Sequence, residues 1–156
     1  LDHARARLIA ALRTDGSEEG GKDGMDCILM AFDSYNNTFE YAAANTAFFI
    51  IRNKELIIHP ADKMPVGRSP KDTEPFTMHI VQLQKGDVIY TMTDGLQDQF
   101  GGTKGKKFKH KQMQQLLLAN CELPLQQQKQ LIENAFTEWK GKLEQVDDVC
   151  VIGIKI

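Results

Sequence analysis

The sequence lacks several features that would point to a compartment or a cofactor. It contains only three cysteines, none in a CxxC spacing, and four scattered histidines. This pattern argues against a disulfide framework and against a zinc site built from Cys and His. No apolar run approaches the roughly 18 residues of a membrane span, and the amino-terminal stretch has no signal-peptide core. We therefore expect a cytoplasmic segment that makes no membrane contact.

A strong net charge is also absent. The formal net charge is −2 at pH 7, which gives no reason to expect a nucleic-acid partner. Five lysines nevertheless fall within eight residues, namely Lys104, Lys106, Lys107, Lys109 and Lys111. Two interpretations of this lysine cluster stay open: a solvated loop that leads into a helix, or a patch that attracts a phosphorylated or acidic partner.

The patterns that are present suit one globular domain. Length (156 residues) and hydrophobic content (42%) allow a sizeable core. The predicted strands cover residues 27–32, 38–43, 46–51, 55–58, 76–83, 88–93 and 149–156, and the predicted helices cover 1–14, 109–120 and 124–141. The first and last of these strands are almost entirely apolar and are predicted to be buried. Four of the five prolines lie between residues 60 and 75, which predicts a loop there. Helices outside antiparallel strands make a layered α+β fold.

Two acidic signals stand at strand ends in the second half of the chain. Asp94 follows the strand 88–93 and precedes Gly95, and Asp147 and Asp148 directly precede the last apolar run. Carboxylates brought together at strand ends can hold hard divalent cations through oxygen. A DG pair is also ordinary turn chemistry, and a DD pair is common in loops. Residue types and spacing alone leave a metal site and plain turns open.

The order of these motifs resembles that of the PPM-type metal-dependent serine/threonine phosphatases. More narrowly, it is similar to the stage II sporulation protein E branch of bacterial signalling phosphatases. The shared order is Gly-Asp before a strand, Thr-Asp-Gly after it, two helices, and Asp-Asp before a closing strand. Other stretches that fit this branch are residues 23–26 (DGMD), 41–52, 63–67 (KMPVG) and 99–102 (QFGG).

The resemblance runs from Leu1 to Ile156 and implies the family's αββα sandwich, two antiparallel sheets flanked by helices. In that family a first metal motif, an Asp-Gly pair whose aspartate bridges two ions, precedes the first helix. This chain begins at the predicted first helix. We therefore expect a single domain over residues 1–156 that lacks its N-terminal part.

The implied activity is hydrolysis of phosphoserine or phosphothreonine in a protein by water activated by two Mn²⁺ or Mg²⁺ ions. By the resemblance, Asp94 and Asp147 match metal ligands. Gly95 lets the backbone pass close to an ion, and Asp148 orients its neighbour. No residue is assigned as a separate catalytic group. Without the bridging aspartate, the chain alone is expected to be inactive or very feeble.

The implied partners are a phosphorylated protein, such as an anti-sigma-factor antagonist, and an upstream sensory or regulatory domain. One alternative is a non-catalytic module on the same fold that docks a phosphoprotein through the lysine cluster and the proline-rich stretch. Another is a plain α+β scaffold in which Asp94 and Asp147 are turn residues. Both functional hypotheses require the two aspartates at one end of the fold, whereas opposite ends would favour the scaffold.

Overall fold

The computed structural model describes residues 1–12 and 23–156, which form two compact units. The first unit comprises Leu1–Ala47 and His59–Gln84, and the second comprises Phe48–Ile58 and Lys85–Ile156. In chain order the elements are α1 (Asp2–Ala11), β1 (Gly24–Met25), β2 (Cys27–Asp33), β3 (Thr38–Ala44), β4 (Phe48–Arg52), β5 (Glu55–His59), β6 (Val66–Gly67), β7 (His79–Gln82), β8 (Val88–Met92), α2 (Gly95–Asp98), β9 (Phe100–Gly101), β10 (Lys106–Lys107), α3 (Lys109–Asn120), α4 (Leu125–Lys140) and β11 (Val151–Lys155). The last two residues of the predicted helix over 1–14 lie outside the described residues.

The first unit is centred on a three-stranded antiparallel sheet in the order β2-β3-β7. Alternation in β3 places Phe39, Tyr41 and Ala43 on one face, and all three are buried. The Phe39 ring stacks on a phenylalanine of β2, and the Tyr41 ring stacks on His79 with 4.8 Å between ring centroids. His79 therefore has a packing role in this sheet.

The second unit is built on a four-stranded sheet in the order β11-β8-β4-β5. Both β11 and β4 pair antiparallel with β8. The turn between β4 and β5 uses Asn53 (φ 50°) and Lys54 (φ 65°), two consecutive left-handed residues of the kind found in tight hairpins. Side chains from this sheet, α2, α3 and α4 share one apolar core, with Tyr90, Met113 and Leu117 fully buried.

Most of the predicted elements are confirmed. α3 has the predicted bounds, and α4 begins directly after Pro124, which is the N-cap rather than the first helical residue. Gly141 ends α4 with φ 55°, the left-handed conformation that favours glycine at a helix C-terminus. Within the described residues, no helix combines the length and the apolar character needed to cross a membrane.

Two predictions about burial are wrong, and both concern strands at a sheet edge. The apolar runs of β2 and β11 predict burial along the length of both strands, but Leu29 is 59% exposed and Ile152 is 50% exposed. In the described part of the chain each strand has a neighbour on one side only. An apolar run does not distinguish a central strand from an edge strand.

Candidate metal centre

Asp94 lies just beyond the end of β8, where the chain turns into the short helix α2. It is the N-cap residue of α2 (φ −76°, ψ −15°), and its carbonyl accepts a hydrogen bond from the Asp98 N–H at 2.9 Å. An aspartate at an N-cap commonly accepts a backbone N–H with its carboxylate. The Asp94 side chain makes no such capping bond and is exposed. Its carboxylate is therefore not used to hold the turn.

The Asp-Asp pair lies directly beside this turn. β11 pairs with β8 with Val151 opposite Met92, so the residues that precede β11 and those that follow β8 meet at the same end of the sheet. The Thr93 hydroxyl donates to the Asp148 carbonyl at 2.8 Å and accepts from the Cys150 N–H at 2.9 Å. One threonine side chain thus fastens the two motifs together. Cys150 lies in the segment 149–156, which the sequence predicts to be buried, but it is exposed.

Gly95 makes the closest contact between the motifs. A Cβ atom added to Gly95 would lie 2.4 Å from the Asp148 carbonyl oxygen and 3.2 Å from the Asp147 carbonyl carbon. These atoms belong to the backbone, so no side-chain movement could relieve the clash. Glycine is required here because two chain segments approach closely.

We predict that Gly95→Ala lowers the free energy of unfolding by about 1–3 kcal/mol, because the methyl group overpacks a backbone contact. Urea denaturation of the variant and the parent measures this difference. Gly153→Ala in β11 is the matched control, since its new Cβ would lie 3.4 Å from the nearest atoms, which belong to side chains. Equal stability losses in the two variants would contradict the close approach at Gly95.

A buried glutamine anchors the segment that leads to Asp147. Gln99 is 0% exposed. Its side-chain amide donates to the Glu144 carbonyl at 2.9 Å, and its side-chain oxygen accepts from the Val146 N–H at 3.3 Å. The Gln99 backbone carbonyl accepts from the Trp139 indole N–H at 3.0 Å. Gln99, which follows the Thr-Asp-Gly turn, therefore holds residues 144–146, which precede the Asp-Asp pair.

We predict that Gln99→Ala lowers the free energy of unfolding by about 1–3 kcal/mol, because it removes the two hydrogen bonds by which this buried side chain holds the backbone at Glu144 and Val146. The same change should speed hydrogen exchange at the amides of residues 144–148, which hydrogen–deuterium exchange can measure. Gln130→Ala is the control, because Gln130 makes an exposed hydrogen bond to Asn134. Unchanged exchange at residues 144–148 would show that Gln99 does not restrain the segment.

The lysine cluster also lies in the second unit, on the β9–β10 hairpin and the first turn of α3. All five lysines are exposed. Lys107 forms an ion pair with Asp98 at 2.9 Å, and its ammonium lies 5.8 Å from the centre of the Phe100 ring. The sequence predicts neither the hairpin nor α2, because this stretch is Gly- and Lys-rich and has no periodic pattern.

The sequence comparison identifies the family. The family model for stage II sporulation protein E matches residues 1–156. The chain belongs to this family. A search of the curated proteins found no match.

Solved structures resemble this SpoIIE-family chain in fold. The SiaA-PP2C domain of Pseudomonas aeruginosa matches with a TM-score of 0.82 and 21% identity over 97% of this chain and 59% of the other. The phosphatase domain of the cell fate determinant SpoIIE from Bacillus subtilis matches with a TM-score of 0.64 and 15% identity over 97% of this chain and 73% of the other. The catalytic domain of the serine/threonine phosphatase PstP, solved in complex with 2 manganese ions, gives a TM-score of 0.60 and 16% identity over 96% of this chain and 66% of the other.

These matches confirm the predicted fold class. The chain has the mixed helical and antiparallel architecture of PP2C-type phosphatases and is a partial domain. It spans 59% of the SiaA-PP2C chain that it matches. At identities of this level the likeness establishes the fold, and the roles of individual residues stay predictions.

The donor set of the SpoIIE-family chain suits hard divalent cations but forms only part of a site. Asp94, Asp147 and Asp148 are all exposed, and carboxylate oxygens are the ligands that Mg²⁺ and Mn²⁺ prefer. The Asp147 carboxylate accepts the Asp148 N–H at 2.7 Å, which restrains its orientation. Among the described residues, no three His, Cys, Asp or Glu side chains form a metal-binding group. Two carboxylates leave most of an octahedral shell to other ligands, so binding by this part alone should be weak.

Proposed function

We propose that this chain is the larger part of a metal-dependent serine/threonine protein phosphatase domain of a bacterial signalling protein. The observation that carries the proposal is the contact of the Thr-Asp-Gly turn with the Asp-Asp pair through Gly95 and Thr93. It brings acidic residues from two distant parts of the sequence to one exposed end of the sheet. Membership of the SpoIIE family and the PP2C-type fold support the same function.

In this proposal Asp94 and Asp147 hold Mn²⁺ or Mg²⁺ through their carboxylate oxygens. The cations, when bound, neutralise phosphate charge and lower the pKa of water to about 7. Gly95 permits the approach of the two backbone segments, and Thr93 fixes their separation by its two hydrogen bonds. Asp148 restrains the Asp147 carboxylate through its backbone N–H. These residues therefore bind and orient, and none of them is proposed as a nucleophile.

We further propose that a complete site needs an additional carboxylate from outside this chain. The family's bridging Asp-Gly motif has no counterpart before α1, and the two Asp-Gly pairs at Asp15 and Asp23 follow that helix. The pair at Asp15 lies outside the described residues. On this basis the isolated chain is inactive or very feeble, whereas a chain extended upstream is active.

The proposed substrate is a phosphoserine or phosphothreonine protein in the cytoplasm, of the anti-sigma-factor-antagonist type that the family suggests. The proposed regulator is a sensory domain upstream of the phosphatase domain. Both proposals rest on the family resemblance.

The direct test is Mn²⁺-dependent hydrolysis of p-nitrophenyl phosphate by this chain and by one extended upstream through the first metal motif. We expect turnover from the extended chain, loss of that turnover with EDTA, and little or none from this chain. Absence of turnover in both, with a phosphoprotein substrate as well as the aryl phosphate, would contradict the enzyme proposal. It would favour the non-catalytic docking module, for which the exposed lysine cluster is the supporting observation.

A further inference from the structure

We propose that the lysine cluster on the β9–β10 hairpin and the start of α3 is a docking surface for an acidic segment of a partner protein. The inference deepens the proposed phosphatase function and rests on it, because the partner it implies is the phosphoprotein substrate. The phosphate-bearing residue would go to the candidate metal centre, and the acidic segment to the lysines.

The charge distribution supplies the first argument. The chain as a whole carries a net charge of −2, yet its lysine cluster concentrates five positive charges within eight residues. All five lysines are exposed. Within the described part of the chain, Lys107 forms an ion pair with Asp98. The remaining lysines form no ion pair with the described residues. A concentrated positive patch on a weakly acidic chain is complementary to an acidic partner and speeds its association.

The start of α3 supplies a second argument. The amino-terminal end of a helix carries a partial positive charge and favours anions. The first turn of α3 contains Lys109, His110 and Lys111, no acidic residue and no side-chain cap. The helix dipole therefore opposes these cations instead of stabilising them. A docked carboxylate offsets both the lysine charges and the helix end, so the unfavourable arrangement is relieved on binding.

The hairpin presents its lysines on a fixed support. Lys106 pairs with Gly101 and Lys107 with Phe100 across β9 and β10. The Gly102 N–H donates to the Trp139 carbonyl at 2.8 Å.

Gly101 lies even closer to α4. A Cβ added to Gly101 would lie 1.8 Å from the Trp139 carbonyl oxygen, so the hairpin rests directly on the backbone at the end of the helix. A surface that is already ordered loses less conformational entropy when a partner binds.

An acidic protein segment fits this surface better than a nucleic acid does. Nucleic-acid binding is typical of domains with a basic overall charge and a longer basic stripe, whereas this chain has a sequence pI of about 6.1. The Phe100 side chain is 44% exposed beside Lys107 and offers an apolar contact that a peptide side chain can use. The proposed occupant of this surface is therefore an acidic peptide segment.

The test is made on the chain extended upstream, with charge reversal at three lysines. Lys104→Glu, Lys106→Glu and Lys111→Glu are combined in one variant. Lys107 is left because it pairs with Asp98, and Lys109 is left because its backbone has φ 69°. The matched control reverses three other exposed lysines, Lys63, Lys85 and Lys142, and so changes the net charge by the same amount.

The probe is a fluorescein-labelled poly-glutamate peptide, and its affinity is measured by fluorescence anisotropy at physiological ionic strength. Salt at that concentration screens exposed charges beyond about 8 Å, so the measurement reports local contacts. We expect the cluster variant to bind at least about tenfold more weakly than the parent, and the control to change by less than about twofold. Equal weakening in both variants, no binding by the parent, or tighter binding to single-stranded DNA or to phosphatidylserine vesicles would overturn the proposal.

Activity assays on the same proteins test the docking surface and the proposed phosphatase activity independently. Hydrolysis of p-nitrophenyl phosphate, which has no acidic segment, should be equal in the parent and the cluster variant, and equal rates also show that the variant is folded. Loss of peptide binding with retained hydrolysis supports the docking surface. If the parent binds the peptide but hydrolyses neither the aryl phosphate nor a phosphoprotein, the phosphatase proposal is refuted while the docking surface remains supported.

Discussion

Asp94→Asn in the upstream-extended protein should lower the Mn²⁺-dependent turnover of p-nitrophenyl phosphate by about a thousandfold or more, equivalent to roughly 4 kcal/mol in the barrier. Asparagine has nearly the same shape as aspartate but lacks the charge that holds a divalent cation. The fold should tolerate the change, because the Asp94 carboxylate makes no capping hydrogen bond. Steady-state kinetics and a thermal melt on the same preparation measure both quantities.

Asp98→Asn is the matched control for this prediction. It makes the same chemical change four residues later, at a side chain that pairs with Lys107. We expect its turnover of the aryl phosphate to stay within about twofold of the parent, since an exposed ion pair contributes little. Retained turnover in Asp94→Asn, or an equal loss in both variants, would rule out the ligand role of Asp94.

The second large effect concerns stability. Asp87 is 1% exposed and accepts two hydrogen bonds from Arg52, at 2.9 Å from Nε and 2.7 Å from Nη2. The hydrogen bond to Asp87 is the main reason why the pKa of the Arg52 guanidinium is raised. The Asp87 carbonyl also accepts the N–H of Ile156, which ties the chain end to the sheet. The Gly-Asp pair that precedes β8 therefore has a structural role.

Asp87→Ala should lower the free energy of unfolding by about 3–5 kcal/mol, because it leaves the partly buried Arg52 without its carboxylate. Urea denaturation of this chain measures the loss. Glu122→Ala is the control, since Glu122 pairs with Lys54 at 2.9 Å while both side chains are more than half exposed. That pair should contribute about 1 kcal/mol or less. A similar small loss in both variants would refute a stabilising role for the Arg52–Asp87 pair.

The sequence was sufficient for the elements whose patterns are long or carry clear end signals. The spacing of Met113 and Leu117 predicts the buried face of α3, and Pro124 and Gly141 mark the two ends of α4. The alternation of β3 predicts its buried face. These features depend on local periodicity and on the backbone preferences of single residues, which a sequence displays directly.

The remaining elements depend on tertiary contacts that a sequence does not display. The β9–β10 hairpin has only two residues in each strand and is held by contacts of Gly101 and Gly102 with Trp139, about 40 residues away. Edge position, which exposes Ile152 in β11, is a property of the whole sheet.

The candidate site shows the same division between local and tertiary signals. The sequence identifies Asp94 and Asp147 as candidate ligands because their motifs resemble those of a known family. The sequence does not predict that Gly95 contacts the Asp148 carbonyl. It also does not predict that the Thr93 hydroxyl bonds to the Asp148 carbonyl and to the Cys150 N–H. The sequence also does not predict the role of Gln99. Its hydrogen-bond partners in residues 144–146 are about 45 positions away, and no sequence pattern connects them to a glutamine that follows a turn.

The central claim is that Asp94 and Asp147 hold a divalent cation, and Mn²⁺ binding tests it without any substrate. The upstream-extended protein is titrated with Mn²⁺, and electron paramagnetic resonance measures the free and the bound ion at each step. The titration is made on the parent and on three variants, Asp94→Asn, Asp147→Asn and Asp98→Asn. Because the proposed mechanism activates water with two metal ions, we expect the parent to bind about two ions per chain. Asp94→Asn and Asp147→Asn should each lower the affinity for at least one of the ions by tenfold or more, and Asp98→Asn should leave the affinity for both unchanged. Unaltered Mn²⁺ stoichiometry and affinity in both Asp94→Asn and Asp147→Asn would contradict the account.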